Sequence, residues 1–455
     1  MKTEKIIAFI KRNKFILIIM LLLFIERFAA LYELGIYYSL NSDDVSYVKS
    51  GIIFANNGTI TILDHITAQI MPGMTVFIGL LSLIFGEGKL LWLVLKLVWI
   101  ATGSLTAWFI YKSVNLFAPK WCGLLATLPL FRPDFVWMDN LILTETPFIL
   151  FFTAMIYFTL KMGKENNYKN FWGCAIFYML ALMLKANIAP YPVFALIYLL
   201  VLKYDRKLLV KQIAILAAVV LCFVVPWSIR NYVHFKAFIP LTYGAGNPTL
   251  LGTYQGINYP KDSELDYETN VDQKVKEKYE KYYDENGNPE ARYRKYISLK
   301  TDEIKAEYRQ KVWREKDIKS YLYSYLILKP RDMINSIFYW KTAFNIGAEK
   351  LVNFPIIEIL LCFFITAASL ILKKCRAPVI FALLTYIGNI YIYATTFSFS
   401  RYGVSIATAK FIIIGIGIYL FVHLISRAIK SVQKYDLKSQ FEVVPESEEI
   451  KIEKF

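Results

Sequence analysis

The run KYDRKLLVKQIAILAAVVLCFVVPWSIRN, residues 203–231, decides how the rest of the chain is read. Four cations (Lys203, Arg206, Lys207 and Lys211) crowd its start, and no charge then follows until Arg230. Clustered Lys and Arg mark the cytoplasmic flank of a spanning helix. The apolar run Ile213–Pro226 therefore leads out of the cell, and the segment from Trp227 to Asn335 is expected on the extracytoplasmic side. That segment is charge-dense from Lys261 to Asp332, whereas charges are scarce from Phe15 to Val225. Its first part, Tyr232–Pro260, is rich in Gly, Asn, Tyr and Pro and reads as irregular loop. Ser263–Leu328 reads as two or more amphipathic helices with a break at Glu285–Pro289.

The same rule orients the neighbouring spans. KMGKENNYK (161–169) and KKCR (373–376) are expected inside. The span Leu141–Leu160 then runs inward. Phe171–Leu184 and Ile188–Leu202 form an outward hairpin that turns at Lys185-Ala186-Asn187. At the far end Ile356–Leu372 goes in, Val379–Thr395 goes out and Ala407–Ile425 returns. The basic start MKTEKIIAFIKRNK precedes an apolar stretch reaching about Leu40, with no small-residue cleavage site after it, so it reads as a first spanning helix rather than a signal peptide. Three apolar stretches between Ile70 and Asp139 must supply an even number of crossings. Lys112 and Lys120 favour an inner loop at 112–120, which demotes Met71–Phe85 to a partial or interfacial helix.

The expected fold is thus an all-α polytopic membrane protein of about 10–12 transmembrane helices with interfacial helices and one large extracytoplasmic loop. Four regions follow: an N-terminal transmembrane module (1–226) whose first outer loop (41–70) carries an acidic motif; the outer loop (227–335); C-terminal transmembrane helices (336–426); and a cytoplasmic tail (427–455). Both termini are cytoplasmic in this reading, in the plasma membrane. The composition agrees: 56% hydrophobic and 19% charged, against about a quarter charged in soluble domains. The net charge of +16 lies largely at span ends, which makes nucleic acid a poor partner. The five cysteines show neither metal spacing nor a CxxC pair, and three histidines exclude a His-rich metal site.

Several polar residues sit where a membrane protein rarely keeps them. Asp43 and Asp44 lie where the first span ends outside. Adjacent carboxylates suit a general base; the alternative is a solvated polar cap, with Ser42 or Asp43 as N-cap of a following helix over Val45–Asn56. Glu145 lies about one turn inside an apolar span, where a carboxylate is functional or ion-paired. Asp134 and Asp139 read as ordinary interface residues. Lys185, Arg230 and Arg401 all fall at outer span ends, against the positive-inside bias; together they point to an anion site, although each alone is compatible with snorkelling to the interface. His65, in the first outer loop, reads as a hydrogen-bonding residue. The aromatic richness fits interfacial belts before sugar stacking.

Four stretches resemble the membrane glycosyltransferases of the protein O-mannosyltransferase and aminoarabinose-transferase kind, the GT-C superfamily. SDDVSYVKSGIIFANNG (42–58) is similar to the first-loop acidic motif. LDHITAQIMPGMTVFIGLLSLIFG (63–86) resembles a Pro-containing helix ending in Phe-Gly, and LILTETPFILFF (141–152) a Leu-Thr-Glu segment. VPWSIRNYVHFKAFIPLTYGAGNPTLLG (225–252) is the most specific, resembling a Pro-Trp, Arg-Asn-Tyr, Pro-Leu, Gly-Gly-Asn series. SRYGVSIATAKF (400–411), with Arg401 and Tyr402, is a weaker echo that lacks a following proline. Lys185 stands where relatives have Arg-Pro, and Ala245 interrupts the glycine pair.

The resemblance implies a sugar donor on polyprenyl phosphate, a cell-envelope acceptor (glycan, lipid or protein hydroxyl), and an active site facing outside among membrane lipids. It implies Asp43 or Asp44 as base, with Glu145, Lys185, Arg230, Arg401, His65 and Tyr402 on the donor's phosphate or sugar. Inversion by one displacement is expected. No metal ligand is assigned, and the metal requirement stays open, since some relatives use a divalent metal ion that Asp43, Asp44 and Glu145 could hold. The alternatives are a transporter or flippase for lipid-linked glycans and a non-catalytic scaffold. The chain shows no internal repeat of the kind common in transporters.

Overall fold

The computed structural model describes residues 2–62, 65–165, 167–335 and 337–441, with side chains described between residues 4 and 429. The acidic end of the expected tail lies outside the described residues. Helix α1 (Lys2–Leu34) precedes α2 (Asp43–Asn57), a two-residue hairpin of β1 (Thr61–Ile62) and β2 (His65–Ile66), α3 (Gly73–Phe85) and α4 (Lys89–Asn115). Two short helices, α5 (Lys120–Leu125) and α6 (Pro133–Met138), lead to α7 (Glu145–Lys164), α8 (Tyr168–Leu184), α9 (Tyr191–Val201) and α10 (Arg206–Phe235). An insert then carries α11 (Gly246–Gly252), α12 (Gln273–Tyr279), α13 (Arg294–Tyr323) and α14 (Lys329–Asn335). The chain finishes with α15 (Phe354–Ile371), α16 (Arg376–Ala394), α17 (Ser400–Val404) and α18 (Thr408–Phe441).

This is an all-α polytopic membrane protein. Among the described residues seven helices are long and apolar enough to cross a bilayer: α1, α4, α7, α10, α16, and the spans 348–371 and 408–429. The 17 residues of α8 reach about 26 Å at 1.5 Å per residue, close to the hydrocarbon thickness. Helix α7 is the central strut, packed on α4 and α8, with Phe148, Phe152, Met155 and Ile156 fully buried. In contrast α10 stands at the edge with Val210, Ile213, Leu221 and Val225 exposed, as suits a lipid-facing helix.

In the ambiguous region 70–139, among the described residues, only α4 is long and apolar enough to cross, which departs from the even number of crossings expected. Helix α3, 13 residues long, is too short to cross. It lies beside α2, where Gly51 and Gly79 let the two backbones meet, and Asn56 donates to Glu87 across their far ends. The stretch 121–137 breaks into short pieces at Pro129 and Pro133, since a proline removes a helix donor. Lys164 donates to the Leu116 carbonyl at 2.6 Å, so the 112–120 connection shares an end of the bundle with the 161–169 cluster. Helix α10 does not stop at Pro226; it runs through that proline to Phe235 and is ended by left-handed Lys236, φ 50°.

Two expectations need correction. Asp134 and Asp139 are fully buried rather than interfacial: Asp139 accepts from Arg27 at 2.6 Å and Thr146 at 2.7 Å, and Asp134 pairs with Arg132. The tyrosines of the insert are also not a membrane belt. Tyr243, Tyr282, Tyr293 and Tyr296 pack edge to face around Phe235 and form the insert's own core.

Candidate active site

Where the bundle meets the insert, an open cavity is lined by Asp43, Tyr47, Gln69, Glu145, Lys185, Asn187, Asn247, Tyr393, Arg401 and Tyr402, among others. Each polar wall has a local cause. Asp43 opens α2, where a carboxylate complements the exposed N–H groups of a helix start. Glu145 likewise opens α7. Lys185 ends α8 in extended backbone before the 3-10 turn Ala186–Ile188. Arg401 and Tyr402 sit on α17, a five-residue helix between two spans.

These side chains form one ion-paired network. Glu145 is completely buried and pairs with Lys185 at 2.6 Å and Arg401 at 2.7 Å. Arg401 also donates to Asp43 at 2.6 Å. Lys185 reaches Ser405 Oγ at 3.2 Å and lies over the rings of Phe148 and Tyr402. Tyr402 stacks on Tyr393, with ring centroids 4.7 Å apart. Two cations and two carboxylates sum to zero, and a buried carboxylate held by two cations is the arrangement that offsets the cost of burial. Asp43 is the outlier, since its side chain is 51% exposed to the cavity while Glu145 is at 0%. Glu145 and the Lys185–Arg401 pair hold the charges in place, and Asp43 is the carboxylate an incoming molecule meets.

The structure divides the candidate residues sharply. Asp43, Glu145, Lys185, Arg401 and Tyr402 come together; Asp44, Arg230 and His65 do not. Asp44 is buried and turned into the backbone, accepting from the amides of Leu40 (2.6 Å), Ser42 (3.2 Å) and Val45 (3.0 Å). Lying one residue inside α2, it ties the preceding turn to the helix start, and it is not among the residues that line the cavity. Arg230 spends its guanidinium on the carbonyls of Thr67 (2.6 Å) and Ile60 (3.1 Å) and lies over Trp227. It secures the first loop, so the expected cluster of three cations is a cluster of two. His65 is exposed on β2, away from the cavity lining.

Sequence reasoning passed over Gln69, Asn187 and Tyr393. Each lines the cavity, and Gln69 Oε1 is a buried polar atom without a hydrogen-bond partner. Buried polar atoms left unsatisfied are uncommon and point to a ligand or water. Their only sequence signal was position beside a span-end turn. The residues do not suit a divalent metal. Among the described residues no group of three ligating side chains occurs, Glu145 and Asp43 are held by cations, and Asp44 is held by amides. Hard divalent ions need several free oxygens.

The fold and site define a polytopic membrane protein with a charged pocket at the boundary between its helix bundle and its insert. Residues 71–229 match the family model "Dolichyl-phosphate-mannose-protein mannosyltransferase". The resemblance read from the sequence is thereby met over the Pro-containing helix, the Leu-Thr-Glu segment and the Pro226-Trp227 pair. The match ends one residue before Arg230 and leaves out the acidic motif and Arg401. Among solved structures, the crystal structure of ArnT from Cupriavidus metallidurans bound to undecaprenyl phosphate is similar at 13% identity and a TM-score of 0.43, over 89% of this chain and 78% of that one. The apo form of the same protein gives 13% identity and a TM-score of 0.39 over the same shares. No curated protein matches the sequence.

Proposed function

We propose that this chain is a membrane glycosyltransferase that moves a sugar from a polyprenyl-phosphate donor to an acceptor hydroxyl by a single inverting displacement, at the extracytoplasmic surface. The observation that carries the reading is the Asp43–Arg401–Glu145–Lys185 network on one open cavity. A second feature supports a lipid donor. An apolar groove lies between α3, α4, α7 and α8, and Leu184 lines both it and the charged cavity. A charged headgroup and an apolar tail would thus find adjoining surfaces.

The chemistry follows from the charges. The acceptor oxygen attacks the anomeric carbon, the bond from that carbon to the phosphate oxygen breaks, and the acceptor proton passes to Asp43. The leaving lipid phosphate gains one negative charge, so positioned cations lower the barrier without a strong acid. Lys185 and Arg401 are those cations, and Glu145 fixes both. A donor phosphate competes with Asp43 for Arg401; binding it releases the Asp43 carboxylate to take the acceptor proton.

The test is transfer from radiolabelled polyprenyl-phosphate sugars by purified protein, wild type beside Asp43→Asn. Label moving to acceptor in wild type and not in the variant supports the reading. Movement of the lipid-linked sugar across liposomes with no new glycosidic bond would replace it with a flippase.

A further inference from the structure

The insert lines part of the pocket through Gly244, Ala245 and Asn247. Helix α14 begins with Lys329, a lysine that is almost completely buried. Its ammonium donates to the carbonyl of Thr396 at 2.9 Å and approaches that of Ala394 at 3.5 Å, and it lies 3.5 Å from the centre of the Tyr325 ring. Among the described residues it makes no ion pair, and no charged group from α11, α13, α16 or α17 perturbs it. A buried lysine that serves only packing is costly, because its charge is taken from water without a carboxylate to meet it.

The carbonyls it holds belong to the 394–399 connection, which leads directly into α17 and therefore to Arg401 and Tyr402. Other contacts reinforce the same grip. Gln255 holds Ser398 through two bonds, at 2.8 and 2.7 Å, and Ser398 Oγ donates back to the Lys329 carbonyl at 2.9 Å. A Cβ on Gly252 would collide with the Thr396 carbonyl, and one on Gly403 with that of Met333. Thr396 itself lines the charged cavity.

We propose that Lys329 is a positioning residue: by clamping the Ala394 and Thr396 carbonyls it docks the insert onto the 394–399 connection and so sets where Arg401 and Tyr402 stand in the pocket. The inference rests on the transferase reading only for its effect on rate; the docking itself is independent of it. Burial draws Lys329 from the ordinary 10.5 down to about 7. In the undocked state the amine returns to water and to its ordinary value. Docking therefore releases a proton between pH 7 and 10.5 and weakens as pH falls through that window.

The experiment is amide hydrogen exchange of the purified full chain, corrected for intrinsic rates, together with steady-state transfer. Lys329→Met keeps the stem and removes the donor. Exchange across residues 395–403 is expected to rise about tenfold or more, which is roughly 1.4 kcal/mol of lost docking, with the spans unchanged. The kcat should fall more than KM rises, because small misplacement of a catalytic group costs rate steeply. Lys329→Arg should recover part of the protection. Wild-type protection should increase with pH from 7 to 9 and that of Lys329→Met should not. If Lys329→Met fails to fold, Gln255→Leu, which cuts the neighbouring grip, should loosen the same segment. A lower melting temperature with unchanged exchange at 395–403, or identical pH profiles for the two proteins, would overturn the proposal. Loosening of 395–403 in a protein that transfers no sugar would leave the clamp standing and remove the transferase reading.

Discussion

The molecule holds two clusters of the same composition, each with two cations and two carboxylates. One is Asp43, Glu145, Lys185 and Arg401. The other is Arg132, Asp134, Glu358 and Lys410, in which Arg132 pairs with both carboxylates and Lys410 meets Glu358 at 2.6 Å. In the second cluster every side chain is at most 11% exposed, and it ties α6 to α15 and α18. The first contains a carboxylate at 51% exposure and opens on a large cavity. Identical charges thus serve closure in one place and access in the other. Which one a residue joins depends on what lies in front of it.

Substitutions sharpen that contrast. Asp43→Asn keeps shape and removes the proposed base, so transfer per folded molecule should fall about 10²- to 10⁴-fold with little change in melting temperature; an unchanged rate in the radiolabel assay would make the two clusters equivalent. Glu358→Ala should do the reverse. Leaving Arg132 and Lys410 short of a partner should cost about 3–5 kcal/mol in denaturant or thermal unfolding, with the rate of the remaining folded protein preserved. Asp44→Ala orphans three amides, so a loss of about 1–3 kcal/mol in stability is expected, along with a transfer defect milder than that of Asp43→Asn. Arg230→Ala frees two carbonyls of the first loop and should loosen that loop by about 1 kcal/mol, read as faster amide exchange at residues 60–67. Phosphate-lipid binding should remain. The smallest effect belongs to His65→Ala, for which unchanged transfer is expected; a large loss would place His65 itself in the pocket.

Much of the site was legible because membranes make polar residues conspicuous. Glu145 near a span end, and Lys185 and Arg401 on the wrong side for the charge bias, stood out by cost alone, and the structure brings all three into one network. The same logic failed for Arg230, since backbone carbonyls can satisfy a guanidinium as well as a phosphate can, and no sequence pattern announces a carbonyl. It failed for Asp134 and Asp139, whose partners Arg132 and Arg27 were visible but not their pairing. Asp43 and Asp44 were indistinguishable as neighbours. Successive residues at a helix start point in different directions, so one faces the pocket and the other its own amides.

Hydropathy and the placement of lysines by themselves determined that the chain is a multi-span helical protein with one long polar insert. Those features depend on local transfer free energies and backbone sterics, which each stretch carries within itself. Only the tertiary structure decided that Arg401 meets Glu145 across more than two hundred residues of chain, that Arg230 stays outside the network, and that Lys329 clamps the connection behind Arg401. Such pairings depend on the relative placement of distant helices, and nothing in the local sequence fixes that distance.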